Sequence, residues 1–249
     1  MSALARSRIP IQHAMSRASE AKAEEASLIV VHHLENSRSH RVLWLLEEIG
    51  IPYEVRIYAR DPVTMLAPPA LRAVHSLGKS PVIVDDKVTL AESGAIIEYL
   101  VEKNGAAAMA PARGTAEWVR YLYWLHFAEG SAMPPLLLKL VLTRIATAPP
   151  WPIRPIVAAV MRRANERVSN PRIGDNLDLM EAELNRSTWF AGDAFSAADI
   201  QMSYPIEASA RRAGLDQRRP KLMAYLDRIR QRPAYRRAVE RGGGAMPRV

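Results

Sequence analysis

The stretch Leu77–Ala95, LGKSPVIVDDKVTLAESGA, decides how the rest of the chain is interpreted. Two short apolar runs joined by an acidic turn predict a β-hairpin, and a helical pattern begins directly after it. Pro81 opens the first run, where it cannot donate a ladder hydrogen bond, so it indicates a turn and suggests a cis peptide bond. Glu92 and Ser93 place a carboxylate and a hydroxyl at a helix N-terminus, where free N–H groups attract anions.

Outward from this stretch, strand-like and helix-like patterns alternate. In order they predict a strand at 28–31, a helix at 42–49 ended by Gly50, a strand at 53–58, a short helix at 70–75, the hairpin, and a helix from Ser93 to about Lys103. The order β-α-β-α-β-β-α predicts a mixed sheet with helices on its faces.

A segment rich in Ala, Gly and Pro at 105–114 marks a change in the pattern, because everything after it is helical. We therefore expect a flexible extension at 1–26, an α/β domain at 27–106, a linker at 107–114 and an all-helical domain at 115–249. A proline cluster at 149–152 breaks the helical pattern. Residues 132–141 are very apolar but shorter than the roughly 20 residues that span a bilayer, so they predict a buried helix and no membrane segment.

FSAADI, at 195–200, is a helix-start signal. Ser196 can cap the N–H of Asp199, and the Asp199 carboxylate can reach back to the Ser196 N–H. We expect this capping box to have a structural role.

The chain contains no cysteine. This excludes a disulfide framework, a thiolate metal site and a cysteine nucleophile, and it fits a reducing compartment such as the cytoplasm. The six histidines have no metal-ligand spacing, so no metal site is predicted. Residues 1–26 lack the apolar core of about 7–15 residues that a secretory signal needs.

The net charge of +8 comes from one end of the chain. Residues 205–249 hold twelve Lys/Arg against four Asp/Glu, whereas the other 204 residues are balanced with 22 of each. Much of this excess lies on a helical pattern, which favours a solvated helix face. No nucleic-acid-binding signature accompanies it, so we expect no nucleic-acid partner, and a polyanion-binding protein stays as an alternative.

Four segments in order resemble the cytosolic-type glutathione transferases: HHLENSRSHRVLWLLEEIGIPYEV, GKSPVIVDD, AESGAIIEYL and FSAADI. The resemblance covers about residues 28–235, and the HHLxxSRSxR opening is most similar to a bacterial and fungal subgroup. It implies a thioredoxin-like N-terminal domain followed by an all-helical C-terminal domain. It also implies a homodimeric enzyme that uses glutathione as a co-substrate and needs no other cofactor.

The resemblance further implies that Pro81 is cis and that the backbone of Ser80 pairs with the cysteinyl part of glutathione. Glu92 and Ser93 would hold the γ-glutamyl end, which agrees with the residues themselves, because an ammonium seeks a carboxylate and a carboxylate seeks hydroxyl and N–H donors. Lys79 is placed to pair with the glycyl carboxylate. His75-Ser76 replaces the family's usual Asn-Pro, and Ser80 replaces its common Val.

The reaction requires glutathione as a thiolate. Lowering the thiol pKa by about two units from 8.5 takes roughly 2.7 kcal/mol, and one charge-assisted hydrogen bond supplies about 1.5–3 kcal/mol. The family places this donor just after the first strand, where Ser37 is our first choice. Asn36 and Ser39 are alternates, and Arg38 would add positive charge. His32 and His33 are interpreted as structural residues.

A small hydrophobic electrophile is expected between the domains, lined by Tyr121, Trp124 and Glu129, although aromatic residues at this helical spacing are more often core. Reduction of organic hydroperoxides is a related activity. A non-catalytic binding or regulatory protein of the same fold is the alternative. A thiol-disulfide oxidoreductase is excluded by the missing cysteine.

Overall fold

The computed structural model describes residues 28–104 and 107–244, so the extension expected at 1–26 lies outside the described residues. The N-terminal domain has the predicted element order. Its elements are β1 (Ile29–Leu34), α1 (His40–Ile49), β2 (Tyr53–Tyr58), α2 (Pro69–Val74), β3 (Val82–Asp85), β4 (Val88–Ala91) and α3 (Ser93–Lys103).

The four strands form one mixed sheet in the order β2-β1-β3-β4. β1 runs parallel to β2 and antiparallel to β3, and β3 pairs with β4 as the predicted hairpin. Val31 pairs with Val55 on one side and Ile83 on the other, and it is fully buried. The carboxyl end of β1 therefore lies at the centre of the sheet, beside the turn that precedes β3.

The C-terminal domain is helical throughout the described residues. After a 3₁₀ turn at Ala107–Met109 come α4 (Ala116–Phe127), a π-helical turn (Ala128–Ala132), α5 (Met133–Thr147), α6 (Arg154–Ala164), a second π-helical turn (Asn165–Ser169), α7 (Asn170–Arg186), α8 (Ala197–Arg212), α9 (Pro220–Gln231) and α10 (Pro233–Arg241). The break between α5 and α6 falls at the predicted proline cluster. The thioredoxin-like and helical fold class is thus confirmed.

Helix α8 is the centre of the helical domain, and the predicted capping box starts it. The buried Asp199 carboxylate accepts hydrogen bonds from the N–H of Ser196 at 2.9 Å and from the N–H of Phe190 at 2.8 Å. Burial raises the pKa of Asp199 to about 6, although these hydrogen bonds oppose the shift. The capping box therefore also fixes the loop before the helix.

Helix α1 joins the two domains through packing and ion pairs. Trp44 is fully buried and meets the Tyr235 ring edge-on at 5.1 Å. Arg232 donates to both carboxylate oxygens of Glu48 at 2.5 and 2.8 Å. Arg237 donates to Glu47 at 2.6 Å. Part of the positive charge at the C-terminal end is therefore engaged within the chain.

The prediction of a buried helix at 132–141 is wrong for most of that segment. Met133 and Leu136 are buried, but Leu137, Leu138 and Val141 are 50%, 37% and 43% exposed. Only the start of α5 packs under the helical domain, and the helix then leaves the core. Among the described residues, none of the helices combines the length and apolar character needed to cross a bilayer.

Candidate active site

A cleft of about 440 Å³ opens where the carboxyl end of β1, the turn before β3 and the start of α3 face α5 and α8. Apart from the alternate donor Ser39, which is fully buried, the residues that the sequence assigned to glutathione and its thiol line this cleft. They are Asn36, Ser37, Arg38, Lys79, Ser80, Pro81, Glu92 and Ser93. The fold thus brings three separate segments of the chain to one cavity.

The turn before β3 is tied to β1 by a side chain. The Ser80–Pro81 peptide bond is cis, as expected. The Ser80 hydroxyl donates to the carbonyl of His32 at 2.9 Å and accepts from the N–H of Leu34 at 3.1 Å. The serine that replaces the family's common valine therefore continues the hydrogen bonding between β1 and this turn.

Ser37 stands at the head of a chain of polar side chains. Its Oγ lies 2.7 Å from the Oγ of Ser39, which in turn lies 2.9 Å from Nδ1 of His33. Ser37 Oγ also donates to Ser80 Oγ at 3.4 Å, and Ser37 is only 8% exposed. Burial lowers the pKa of His33, while the neighbouring Gly242 carbonyl opposes this. The imidazole is therefore neutral at pH 7 and has one N–H to donate.

The sequence predicts a structural role for His33. Its link to Ser37 passes through Ser39, the alternate donor. No sequence pattern marks this connection, because it depends on the β1–α1 loop folding back along the strand end.

Glu92 occupies a sparsely populated backbone conformation, with φ +72° and ψ +118°. A non-glycine residue in such a conformation costs on the order of 1–3 kcal/mol, and such residues cluster at functional sites. Its side chain is exposed, while its carbonyl accepts from the N–H of Ile96 at 2.9 Å and begins α3. The conformation places a free carboxylate at the rim of the cleft, beside the helix N-terminus.

Ser93 is buried next to a residue that the sequence interpretation did not assign. Arg41 is fully buried, and its Nη2 donates to Ser93 Oγ at 2.8 Å and to Glu129 at 2.6 Å. Its Nη1 donates to the carbonyl of Gln201 at 2.8 Å, and the Gln201 amide donates to Ser93 Oγ at 3.3 Å. Ser93 Oγ accepts both bonds, so its own hydrogen is available to a ligand.

Burial lowers the pKa of Arg41, and Glu129 opposes the shift. A guanidinium remains charged in this situation, so a cation lies directly behind Ser93. Arg41 is the last residue of the quoted HHLxxSRSxR segment, which is the available sequence signal. Its partners lie 52, 88 and 160 residues further along the chain, however, and that distance hides them from local patterns.

Glu129 does not line the cleft as predicted. The π-helical turn after α4 directs it toward α1, where Arg41 holds one carboxylate oxygen and Arg38 lies 3.2 Å from the other. The Arg38 guanidinium also lies 5.9 Å from the ring centre of Tyr204. Glu129 thus fixes two arginines near the site and does not face the cavity itself.

Tyr121 and Trp124 are also absent from the wall of the cleft. They are 1% and 2% exposed and belong to the core of the helical domain, where Trp124 packs against Phe127 and Phe190. Their helical spacing therefore reflects packing. The wall facing the glutathione side is instead formed mainly by Met133, Leu136, Leu137 and Leu140 of α5 with Tyr204 and Ala208 of α8.

The cleft is strongly basic. Its lining includes one carboxylate, Glu92, and six cationic side chains: Arg38, Arg60, Lys79, Lys139, Arg144 and Arg212. Such a lining favours an anionic ligand. Within residues 28–104 and 107–244, no group of three or more His, Asp or Glu side chains is arranged to hold a metal ion.

The chain has clear relatives. It matches the family description "Glutathione S-transferase, N-terminal domain" over residues 26–102 and "Glutathione S-transferase, C-terminal domain" over residues 153–233. It is 40% identical to glutathione S-transferase 3 of Schizosaccharomyces pombe over 86% of this chain and 88% of that protein. It is 31% identical to glutathione S-transferase 1 of Saccharomyces cerevisiae over 86% of this chain and 95% of that protein.

Solved structures agree with this. A glutathione S-transferase from Actinobacillus pleuropneumoniae superposes with a TM-score of 0.70 at 29% identity, covering 86% of this chain and 93% of that one. A sphingomonad glutathione S-transferase complexed with glutathione gives 0.68 at 25% identity over 87% and 100% of the two chains. The chain belongs to the glutathione S-transferase family, and these relatives favour an enzyme over a non-catalytic protein of the same fold.

Proposed function

We propose that this protein binds glutathione in the basic cleft and activates the glutathione thiol with Ser37. The enzyme then joins the glutathione sulfur to small hydrophobic electrophiles in the cytoplasm, as in detoxification. The observation that carries the proposal is the convergence of the Ser37, Ser80 and Glu92-Ser93 segments on one cavity. Glutathione has two carboxylates and one ammonium, so the excess of cationic groups around a single carboxylate matches its charge.

The γ-glutamyl end binds at the start of α3. The exposed carboxylate of Glu92 accepts from the ammonium group, and the Ser93 hydroxyl donates to the α-carboxylate. Arg41 supports this contact because its Nη2 donates to Ser93 Oγ at 2.8 Å and orients the hydroxyl hydrogen away from itself. The buried guanidinium and the N-terminus of α3 both favour the carboxylate.

The other end of the tripeptide lies along the turn before β3. The backbone of Ser80 pairs with the cysteinyl residue, and the exposed Lys79 ammonium pairs with the glycyl carboxylate. This places the cysteinyl sulfur toward the β1–α1 loop, where Asn36 and Ser37 lie.

Ser37 donates a hydrogen bond to the sulfur and stabilises the thiolate, and Arg38 adds positive charge at the same end of the cleft. For Ser37 to donate, its Oγ must accept from Ser39, and Ser39 must accept from Nδ1 of His33. The observed separations of 2.7 and 2.9 Å permit this direction when His33 carries its one N–H on Nδ1 and does not donate to the Gly242 carbonyl. The Ser37 hydroxyl, which donates to Ser80 Oγ in the structure, then turns its one hydrogen to the sulfur. Ser39 and His33 are therefore positioning residues that fix the Ser37 hydroxyl. Hydroperoxide reduction would use the same thiolate.

The electrophile occupies the apolar wall formed by α5 and α8, opposite the sulfur. The enzyme acts as a homodimer. Apolar side chains exposed on α4, Val119 at 65% and Tyr123 at 50%, support an interface on that helix. Light scattering at micromolar concentration should give twice the chain mass, and a monomer would contradict this part of the proposal.

Conjugation of a chloronitrobenzene to glutathione tests the function. We expect Ser37→Ala to lower kcat/KM by about 10- to 100-fold, which corresponds to one charge-assisted hydrogen bond of about 1.5–3 kcal/mol. Ser93→Ala should raise the KM for glutathione about tenfold. Ser131→Ala, at an exposed position outside the cleft, is the matched control. Full activity in the Ser37 variant would disprove the thiol assignment, and unchanged glutathione affinity in the Ser93 variant would disprove the binding assignment.

A further inference from the structure

The second half of α5 and the whole of α6 form a hairpin. The α5 side contributes Leu137, Lys139, Leu140 and Arg144 to the cleft, and α6 packs on α5 away from the body of the protein. We call residues 137–168 the basic hairpin. No residue within it is buried, and α6 contributes nothing to the core over its 11 residues. Its two helices pack mainly on each other. The burial of an apolar face, which usually stabilises a helix on a globular protein, is therefore missing here.

The basic hairpin is nevertheless apolar on its outer surface. Trp151, at its tip, is 82% exposed, and Ile156 and Val160 of α6 are 68% and 55% exposed. On α5, Val141 and Ile145 are each 43% exposed. Ile156 with Val160 and Val141 with Ile145 follow the i, i+4 spacing that places side chains on one face of a helix. Exposed apolar side chains grouped at this spacing on two helices that pack on each other favour an interaction site.

The same segment carries a concentrated positive charge. Its basic residues are Lys139, Arg144, Arg154, Arg162, Arg163 and Arg167, and Glu166 is its only acidic residue. The net charge over these 32 residues is therefore +5. Glu166 lies 3.9 Å from Arg162, a loose contact between exposed side chains. The charge remains largely uncompensated within the hairpin.

We infer that the basic hairpin docks on the surface of an anionic phospholipid bilayer. Amphipathic segments that lie in the membrane interface combine Lys and Arg with exposed Trp and aliphatic residues, and the apolar side chains enter the boundary between headgroups and acyl chains. The long Arg and Lys stems keep their charges at headgroup level beside the inserted apolar groups. The hairpin lies on the membrane and does not cross it. This inference does not depend on the proposed function.

Two other occupants fit the surface less well. A second copy that packed hairpin against hairpin across a two-fold axis would bring two segments of net charge +5 together. A nucleic acid would match the charge but would leave the aliphatic surface without a partner, and Trp151 alone offers little base stacking. Both are outcomes of the test.

The test is co-sedimentation of the full chain with vesicles of phosphatidylcholine alone or with about one-third phosphatidylserine. We expect binding to the anionic vesicles, at least tenfold weaker binding to the neutral ones, and loss of binding in high salt. Trp151 is the most exposed of the chain's tryptophans in the described residues, so a blue shift of the fluorescence on binding should disappear in Trp151→Ala.

Two matched pairs of variants locate the contact. Arg163→Glu with Arg167→Glu should weaken binding at least tenfold, because each basic group near an anionic surface contributes about fivefold. Lys87→Glu with Arg236→Glu, which make the same charge change at exposed positions elsewhere, should leave binding largely intact. Trp151→Ala should also weaken binding, whereas Val63→Ala, at a residue 88% exposed outside the hairpin, should not.

The inference is overturned if anionic vesicles bind no better than neutral ones or if the hairpin and control variants bind equally. It is also overturned if the hairpin substitutions change the mass of the protein in solution, which would assign the surface to a second copy. Salt-sensitive retention on DNA without vesicle binding would assign it to nucleic acid.

Discussion

Helices α8 and α6 belong to the same domain and have opposite environments. In α8, 12 of 16 residues are buried, including charged and polar ones. In α6, none of 11 residues is buried, although Ile156, Val157 and Val160 would suit a core. Apolar composition therefore does not determine which helix of this domain is buried.

The difference lies in the partners that surround polar groups. Asp199 accepts from two backbone N–H groups, and Glu207 accepts from the Tyr235 hydroxyl at 2.6 Å. Buried polar groups are tolerated when they are hydrogen-bonded in this way. No comparable partners surround α6, because it packs on the second half of α5, which has itself left the core. The buried helix also carries Gln201, whose carbonyl holds Arg41 behind the glutathione site.

The largest expected effect is the loss of the Asp199 carboxylate. Asp199→Ala leaves the buried N–H groups of Phe190 and Ser196 without acceptors, so the free energy of unfolding should fall by about 3–5 kcal/mol. Asp175→Ala, at an exposed position of α7, should change it by less than about 0.5 kcal/mol. Urea denaturation measures both. Equal losses of unfolding free energy in the two variants would contradict the claim that the buried Asp199 carboxylate stabilises the fold more than the exposed Asp175 carboxylate.

The next largest effect is the pH dependence of the free energy of unfolding, which tests the burial of His40. Burial lowers the pKa of His40 from 6.5 to about 3, so below pH 6.5 the unfolded chain binds a proton that the folded chain does not. The neutral His40 therefore makes its whole contribution to the free energy of unfolding above pH 6.5. Below pH 6.5 this contribution falls by about 1.4 kcal/mol for each pH unit.

Asp199 has the opposite effect on stability, because burial raises its folded-state pKa to about 6. As the pH falls from about 6 to 4, the folded chain binds this proton more readily than the unfolded chain, so the free energy of unfolding rises. For this reason the difference between wild type and His40→Gln is the quantity to measure. The variant should gain about 3 kcal/mol relative to wild type between pH 6.5 and 4. His126→Gln, an exposed control, should show no such gain, and a flat difference for His40→Gln would refute the burial argument.

Arg41 should show an intermediate effect that links stability to binding. Arg41→Lys keeps the charge but loses the forked contacts to Ser93, Gln201 and Glu129. We expect the free energy of unfolding to fall by about 2 kcal/mol and the KM for glutathione to rise. Arg167→Lys on the basic hairpin should change neither quantity. A stability loss with an unchanged KM would restrict Arg41 to a purely structural role.

The smallest effect should come from α6 itself. Ile156→Ala should alter the free energy of unfolding by less than about 0.5 kcal/mol, because it removes no buried contact. Ile206→Ala, in α8 and fully buried, should cost about 2–5 kcal/mol. Denaturation of the two variants under one condition makes the comparison. A large loss for Ile156→Ala would show that the hairpin is packed against the domain in solution.

Local patterns predicted much of this molecule. The order of strands and helices from 28 to 103, the start of α8 and the break at the proline cluster all follow from turn residues, caps and periodicity, and the structure confirms them. The residues assigned to glutathione also share one cleft. These features depend on neighbours in sequence or on a recognisable family motif.

What the sequence could not provide depends on distant parts of the chain. Arg41 acquires its role only when α8 and the π-helical turn pack against α1. Tyr121 and Trp124 have a helical spacing that would suit residues lining the electrophile site, but they face the core of the helical domain. The charge of the basic hairpin was hidden because residues 1–204 are balanced overall, although a shorter window reveals +5 at 137–168.

The central claim is that Ser37 lowers the pKa of bound glutathione. Ultraviolet titration of the thiolate in the enzyme–glutathione complex measures this directly, with Ser131→Ala as the control. We expect a thiol pKa about two units below 8.5 in wild type and a return toward 8.5 in Ser37→Ala. Ser39→Ala should give a smaller rise, because it removes only the support of the Ser37 hydroxyl. An unchanged thiol pKa in Ser37→Ala, with glutathione still bound, would contradict the assignment of Ser37 as the donor to the sulfur.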